Sequence, residues 1–287
     1  MKKIISVLLI LAISLSVTGC FKSDTMEDIT IYTTVYPIEF ITAKLYGDYG
    51  TVKSIYPDGV MTQEYSLTKK QIKDYSDSEL FIFNGLNNEK EYVSKFFEKN
   101  SKIKIIDSTS SMEVLNRTEE LWLNPSNLLM IAQNIKNGFS EYVNNHYIIN
   151  TIEQNYEDLK IEISNLDASI SLIVENSNSK TIIVSDDLFN FLSKFGFNVI
   201  SLDQDTTTEK AIATAKELLT NGECNFIFAP NNEELNESVK KVVSATNAKI
   251  SYLHTLSNIT ETERNNNKDY ITIMKENIEA IKNEIYN

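Results

Sequence analysis

The feature that most constrains this chain is an apolar stripe between Ile149 and Ile173. Its members are Ile149, Ile152, Tyr156, Leu159, Ile163, Leu166, Ile170 and Ile173. Their spacing alternates between three and four residues, which is the spacing of one continuous helical face. At a rise of ~1.5 Å per residue the stripe is ~37 Å long, about the width of a domain. We therefore predict a long helix that joins two lobes. A coiled-coil seam or a long surface helix has the same periodicity and remains the alternative.

Short β-rich apolar runs alternate with amphipathic runs on both sides of the stripe. The predicted strands are 29–35, 51–56, 79–83, 103–106, 181–184, 198–202, 225–229 and 249–253. Strands that alternate with helices indicate βα units and parallel sheets. We therefore predict the α/β class, with two parallel-sheet α/β lobes joined by one long helix.

The first twenty residues have the pattern of a bacterial lipoprotein signal. Lys2 and Lys3 precede an apolar run that is too short for a comfortable membrane span. The run ends in LSVTGC at residues 15–20, which resembles a lipobox. This predicts cleavage before Cys20, diacylglycerol on its thiol and an acyl chain on the new amino terminus. The protein would then be anchored by lipid on the extracytoplasmic face of the cell membrane. Ordinary secretion with a free Cys20 is the alternative.

These patterns together predict five segments along the chain. They are a signal peptide (1–19), a tether (20–28), an N-terminal α/β lobe (29–146), a linking helix (147–177) and a C-terminal α/β lobe (178–287).

Charge and cysteine content limit the partners. The net charge of −13 argues against nucleic acid, which needs a basic surface. If Cys20 carries lipid, Cys224 has no partner for a disulfide within the monomer. Cys224 begins the apolar run CNFIFA, and we predict a buried core residue there, not a nucleophile.

Two α/β lobes and a lipid anchor suggest a receptor with its ligand in the cleft. In open α/β sheets, ligands lie beyond the carboxyl ends of the strands. The loops to consider are therefore 57–65, 119–123, 185–187 and 254–258.

Several of these segments match the motifs of one known family. Residues 56–65, YPDGVMTQEY, resemble a Pro-Pro-Gly-x-x-Pro-His-x-Tyr/Phe loop, and residues 80–86, LFIFNGL, resemble the next strand and turn. Residues 122–127, WLNPSN, resemble Trp-Leu-Asp-Pro-x-Asn, and residues 184–191, VSDDLFNF, resemble Ser-His/Glu-x-x-Phe-x-Tyr. These are motifs of the metal-receptor family of ABC-transporter solute-binding proteins, which captures zinc or manganese. The resemblance covers about residues 29–286. It implies two lobes on a rigid helix and delivery of a metal to an ABC permease.

The resemblance also implies four ligand positions, and this chain has substitutions at them. The family usually supplies His, His, His or Glu, and Asp or Glu, whereas the matching residues here are Gln63, Glu120, Asp186 and His254. With two His in the whole chain, a multi-His zinc site is excluded. Two carboxylates, one imidazole and a Gln carbonyl favour Mn²⁺ or Fe²⁺, although zinc accepts the same groups. We therefore predict a divalent metal ion (Mn, Zn or Fe) as the captured ligand.

Two other functions compete with metal capture. The same scaffold with a degenerate site would bind another ligand or act as a surface adhesion lipoprotein, a role described for members of the resembled family. An exported enzyme needs a nucleophile with its base, and the His and Cys content offers no such pair, so we predict that the chain is not an enzyme. We expect a monomer. Residues 149–173 contain neither Gly nor Pro, so we also expect small lobe movements and not wide closure.

Overall fold

The computed structural model describes residues 26–177 and 179–286. The predicted signal peptide and Cys20 lie outside the described residues. Within the described part of the chain, no helix combines the length and apolar character needed to cross a membrane.

Two four-stranded parallel sheets form the two halves of the molecule, and they have the same topology. The first sheet has the order β2-β1-β3-β4, with β1 (Ile29–Thr33), β2 (Gly50–Ser54), β3 (Leu80–Phe83) and β4 (Lys104–Asp107). The second has the order β6-β5-β7-β8, with β5 (Thr181–Val184), β6 (Asn198–Ser201), β7 (Phe226–Pro230) and β8 (Lys249–Leu253). All neighbouring strands are parallel, which confirms the predicted fold class.

Helices connect the strands as expected for parallel sheets. The first half contains α1 (Tyr36–Tyr46), α2 (Lys69–Ser76), α3 (Lys90–Lys99), α4 (Glu120–Leu123) and α5 (Pro125–Tyr142). The long helix α6 (His146–Asn176) follows, and the second half contains α7 (Glu209–Thr220), α8 (Glu237–Ala245), α9 (Glu261–Asn265) and α10 (Tyr270–Ile285). Two 3₁₀ segments, Gly47–Tyr49 and Asp187–Phe195, complete the set. We call the part before α6 the N-lobe and the part after it the C-lobe.

The apolar stripe lies along α6 as predicted. Seven of its eight residues are buried, and Ile149 is half-buried. The stripe is covered by α1 and α5 of the N-lobe and by α10 of the C-lobe, so helices of the same chain fill the seam. This excludes the coiled-coil alternative. α6 begins and ends within one residue of the predicted 147–177 link, while the exact division into lobes remains a prediction.

Cys224 is a core residue, as predicted. It is 1% exposed, and its thiol donates to the Thr181 carbonyl oxygen at 3.7 Å. Burial raises the pKa of the Cys224 thiol to about 12. The thiol therefore stays protonated and unreactive at neutral pH.

Gly138 allows α5 to pack closely on β4. A Cβ at this position would lie 2.6 Å from Cγ2 and 2.7 Å from Cγ1 of Ile106, which is itself buried. We expect Gly138→Ala to lower the free energy of unfolding by ~1–3 kcal/mol, because the clash outweighs the better helix propensity of Ala. Urea denaturation measures the change. Asn137→Ala on the exposed face of the same helix is the control and should be nearly neutral. Equal effects of the two changes would contradict close packing at Gly138.

Candidate cation site between the lobes

The carboxyl ends of the two sheets face each other, and the loops that follow the strands meet there. Gly59 N–H donates to the Ile259 carbonyl oxygen at 2.8 Å. The Asn258 side chain donates to the Pro57 carbonyl oxygen at 2.8 Å. Strand-end loops of both lobes thus form one surface, as expected for a ligand cleft in parallel α/β sheets.

The guanidinium of Arg117 lies on this surface between the lobes. Arg117 lies in the loop after β4 and contacts carboxylates from both lobes. Within the N-lobe it donates to Glu119, from Nη2 to Oε1 at 2.7 Å and from Nε to Oε2 at 3.3 Å. Across the cleft, Nη1 donates to Asp186 Oδ2 at 2.9 Å. Glu233 accepts from Nη1 and Nη2 at 2.9 and 2.7 Å. We call Arg117, Glu119, Asp186 and Glu233 the Arg117 cluster.

The contacts of the Arg117 cluster use the full hydrogen-bonding capacity of the guanidinium. An Arg side chain has five N–H donors in a fixed planar fork, and here every donor meets a carboxylate oxygen. Asp186 comes from the end of β5, and Glu233 comes from the loop after β7. One cation therefore holds together loops that the chain places far apart.

Partial burial makes these charges interact strongly. The Arg117 side chain is 28% exposed, and Glu119 is 3% exposed. Burial alone would lower the pKa of Arg117, but hydrogen bonds to Glu233 and Glu119 outweigh it and raise the pKa. Burial raises the pKa of Asp186, against the opposing effects of the Leu188 N–H and of Arg117. Asp186 therefore depends on nearby donors and positive charge to remain ionised.

Asp186 and Gln63, two of the four predicted ligands, meet at the Arg117 cluster. Asp186 is a member of the cluster. Gln63, from the loop after β2, donates from Nε2 to Glu119 Oε1 at 3.0 Å. These two residues thus lie on the cleft, as the resemblance implies, but they contact an arginine and a glutamate.

Glu120 does not join them. Its Oε1 accepts from the N–H groups of Leu115 and Asn116, and its Oε2 accepts from the Asn116 side chain. The residue is 4% exposed and lines a separate pocket with Asn190 and Lys194. Its carboxylate therefore fixes the conformation of its own loop, and the neighbouring Glu119 faces the cleft.

His254 lies beside the cleft with both ring nitrogens engaged. Nδ1 accepts from Leu256 N–H at 2.9 Å, and Nε2 lies 3.4 Å from Glu263 Oε1. Burial lowers the pKa of His254 despite the opposing charge of Glu263, which favours neutral imidazole. Because Nδ1 accepts a hydrogen bond, the proton of the neutral ring is on Nε2. Neither nitrogen offers a free lone pair in this arrangement.

A small cavity between the lobes is lined by Gln63 and His254, two of the four predicted ligands. It has a volume of about 140 Å³ and is lined by Gly59–Gln63 from the N-lobe and by Asn231–Glu233 and His254 from the C-lobe. This space is large enough for several waters or a hydrated ion. Across residues 26–177 and 179–286, no three His, Cys, Asp or Glu side chains are already arranged to hold a metal ion.

Sequence reasoning missed three members of the Arg117 cluster. Glu233 follows the predicted strand 225–229, so the rule that ligands lie beyond strand ends could have found it. Glu119 was overlooked because the resemblance selects Glu120. For Arg117 the sequence gives no signal, since its contacts with Asp186 and Glu233 span 69 and 116 residues.

Fold and site together define a class of protein. Two parallel α/β lobes on one long helix, with a charged cleft at the strand ends, are the architecture of metal-receptor solute-binding proteins. A family model described as zinc-uptake complex component A, periplasmic (ZnuA) matches residues 31–284. The chain belongs to this family.

Individual relatives agree with this placement. Zinc-binding lipoprotein AdcA of Streptococcus pneumoniae (strain R6) is 23% identical over 98% of this chain. The chain spans only 61% of the length of that relative. The high-affinity zinc uptake system protein ZnuA of Bacillus subtilis is 22% identical over 99% of this chain and 98% of its own length. The crystal structure of the Zn(II)-bound ZnuA-like domain of AdcA from S. pneumoniae matches with a TM-score of 0.71 at 21% identity. That match covers 91% of this chain and 100% of the domain. At this identity the structural likeness establishes the fold.

Proposed function

We propose that this protein is an extracytoplasmic receptor that captures a divalent cation between its lobes and delivers it to an ABC permease. The observation that carries the proposal is the Arg117 cluster, in which carboxylates of both lobes converge on one positive charge. Ligands of open α/β sheets bind at the carboxyl ends of the strands, and the carboxylates there already hold a cation, which supports capture of a cation at this place. The family and the names of the relatives support the same function.

Gln63, Asp186 and His254 remain the proposed ligands, and Glu119 takes the place of Glu120. Glu119 is the better candidate because it already shares a hydrogen bond with Gln63, whereas Glu120 is bonded to its own loop. Glu233 is a fifth candidate from the opposite wall. His254 must give up its contact with Glu263 to bind through Nε2. A set rich in carboxylate oxygen favours Mn²⁺ or Fe²⁺, and it also accepts Zn²⁺.

The lipobox at residues 15–20 supports a lipid anchor at Cys20 and a place on the extracytoplasmic face of the cell membrane. A receptor in this place acts by handing its ion to a membrane permease. We propose a monomer that carries the ion and has no catalytic role.

The proposed capture predicts a metal-dependent gain in stability. Mn²⁺, Fe²⁺ or Zn²⁺ at a hundred times its dissociation constant should raise the free energy of unfolding by ~2.7 kcal/mol. Thermal unfolding of the full-length protein measures the gain, and mass spectrometry after mild purification identifies any ion that is retained. Asp186→Asn should remove most of the gain, because it takes a charge from the cleft.

Asp187→Asn is the matched control. Asp187 is the next residue, but its carboxylate accepts from Thr206 Oγ1 at 2.7 Å and lies outside the Arg117 cluster. It should therefore leave the metal response unchanged. A wild-type melting temperature that none of the three ions changes would refute metal capture.

One observation favours a second function. All five donors of Arg117 are satisfied, so the cleft is already neutralised in part without a metal. The same scaffold would then serve as a surface adhesion or interaction lipoprotein, or bind another ligand. Two results together would support this function. None of the three ions would change the melting temperature of the wild type, and a Glu119→Ala, His254→Ala double variant would keep full biological activity.

A further inference from the structure

We propose that Arg117 is a tethered cation that occupies the cleft when no metal is bound, and that an incoming divalent ion must displace it. The inference rests on the proposed function and deepens it, because it names what the ion competes with. In the ion-free protein the guanidinium would hold the two lobes together. Metal binding would then exchange one cation for another between the same carboxylates.

The oxygens of Asp186 and Glu233 show why displacement is required. Asp186 Oδ1 accepts from Leu188 N–H at 2.7 Å, and Oδ2 accepts from Arg117 at 2.9 Å. Both oxygens of Glu233 accept from Arg117. The opposite wall therefore offers carboxylate oxygens mainly to Arg117. A metal ion that uses these residues must first take oxygens from the guanidinium.

The charge of the cluster shows why the exchange is favourable for a divalent ion. Three carboxylates and one guanidinium carry −3 and +1, which leaves −2. The cleft thus continues to attract a divalent cation while Arg117 is in place. Once the ion has entered, repulsion between the two cations favours release of the guanidinium. The side chain is 28% exposed, so it has a path into solvent.

Because the Arg117 guanidinium is planar and rigid, its exchange for a metal ion takes place in a single step. The five donors of a guanidinium are rigidly linked, so moving Nη1 away from Asp186 also disturbs the contacts with Glu233 and Glu119. Arg117 therefore occupies the cleft or leaves it as a unit. Its occupancy reduces the fraction of protein that is ready for metal and raises the apparent Kd by the same factor. Residue 117 thus sets the metal affinity of the cleft.

A second arginine between the lobes, Arg264, provides a control for the removal of Arg117. Arg264 in α9 of the C-lobe donates to Asp58 at 2.7 and 2.8 Å and to Glu39 at 3.1 Å, both in the N-lobe. Neither carboxylate belongs to the Arg117 cluster or to the four predicted ligands. Removing Arg264 therefore changes the net charge and interlobe contact in the same way as removing Arg117, but away from the cleft centre.

The test compares full-length wild type, Arg117→Met and Arg264→Met by calorimetric titration with Mn²⁺ and Zn²⁺. We expect Arg117→Met to lower the Kd by at least ~10-fold, the effect of removing a competitor held by charge-assisted hydrogen bonds. Arg264→Met should leave the Kd within ~2-fold of wild type. Hydrogen exchange of the ion-free proteins gives an independent measure. Arg117→Met should lose protection in loops 115–121 and 230–236, whereas Arg264→Met should not.

Each outcome separates the inference from the proposed function. Metal binding by wild type with an equal or higher Kd in Arg117→Met overturns the inference and leaves the proposed function intact. Binding by Arg117→Met alone supports the inference and refutes metal capture by the wild type. If neither protein binds an ion, the proposed function fails. Hydrogen exchange then tests whether Arg117 holds the lobes together. Lost protection in both loops then supports Arg117 as the cation that holds the lobes, and unchanged protection overturns it.

Arg117→Lys covers the case in which the Met variant does not fold. Lysine keeps the positive charge but lacks the planar fork and two of the five donors. The Kd of Arg117→Lys for the metal ion should therefore lie between those of wild type and Arg117→Met. A Kd equal to that of wild type would overturn the role of the fork.

Discussion

Replacing Trp122 by alanine is expected to lower the free energy of unfolding by ~3–5 kcal/mol, the range for removing a buried aromatic side chain. Trp122 is 2% exposed. Its Nε1–H donates to the Thr255 carbonyl oxygen in the C-lobe at 2.8 Å, and its own carbonyl accepts from the Tyr270 hydroxyl. Truncation leaves a cavity and an unpaired carbonyl where the two lobes touch. The change should therefore weaken the lobe contact as well as the core.

Urea denaturation followed by circular dichroism measures this loss, since the variant lacks the single tryptophan of the chain. Trp122→Phe is the matched control, because it keeps an aromatic ring but removes the N–H donor. We expect it to cost less than half as much as Ala, with ~1 kcal/mol from the lost hydrogen bond. A cost below ~1 kcal/mol for the Ala variant would show that the indole is not the packing anchor of the lobe contact.

The second large effect is a pH-dependent contribution of Glu89 to stability. Glu89 is 4% exposed. Its Oε2 accepts from Asn84 N–H at 3.2 Å, and its Oε1 accepts from the Tyr56 hydroxyl at 3.4 Å. Burial raises its pKa from the ordinary 4.5 to about 7, although these hydrogen bonds act in the opposite direction. The folded protein therefore binds the proton more tightly than the unfolded chain. The stabilisation is fully present below about pH 4.5 and is lost as the pH rises through about 7.

At ~1.4 kcal/mol per pKa unit, the predicted loss is about 3 kcal/mol between pH 4 and pH 8. Urea denaturation of wild type and Glu89→Gln across this pH range gives two curves of unfolding free energy against pH. The difference between the curves is the contribution of Glu89. Other titrating groups contribute to both curves and cancel. Glu91→Gln, at an exposed position two residues further on, should run parallel to wild type. A wild-type curve parallel to that of Glu89→Gln would mean that Glu89 has the same pKa in the folded and unfolded states, which would contradict the prediction.

The sequence predicted the long helix and the eight strands because both signals are local. The stripe from Ile149 to Ile173 repeats with the period of a helix, and seven of its members are buried. The strands are short apolar runs between turn residues, and they occur in the structure with bounds shifted by a few residues. The segment Asp187–Phe195 after β5 forms a 3₁₀ helix. Here the Asp186 side chain caps Leu188 N–H, and Gly196 at φ 98° ends the segment.

The site was predicted only in part. The strand-end rule and the family resemblance placed Gln63 and Asp186 on the cleft, where the structure also has them. They selected Glu120, whereas Glu119 is the carboxylate that faces the cleft. Adjacent residues at a helix start point in directions ~100° apart, so one carboxylate reaches the cleft and the other turns into its loop. Side-chain direction at that turn depends on how α4 docks, which a motif does not encode.

The sequence by itself thus determined the two α/β lobes, the helix that joins them and the loops that meet between them. It could do so because hydrophobic periodicity and strand order act over short stretches of chain. Only the tertiary structure decided which charges share the cleft. Arg117 meets Asp186 and Glu233 across 69 and 116 residues, and no local pattern records such a pairing. Coulombic attraction depends on distance in space. Arg117 therefore meets these carboxylates only when both lobes are folded and packed together.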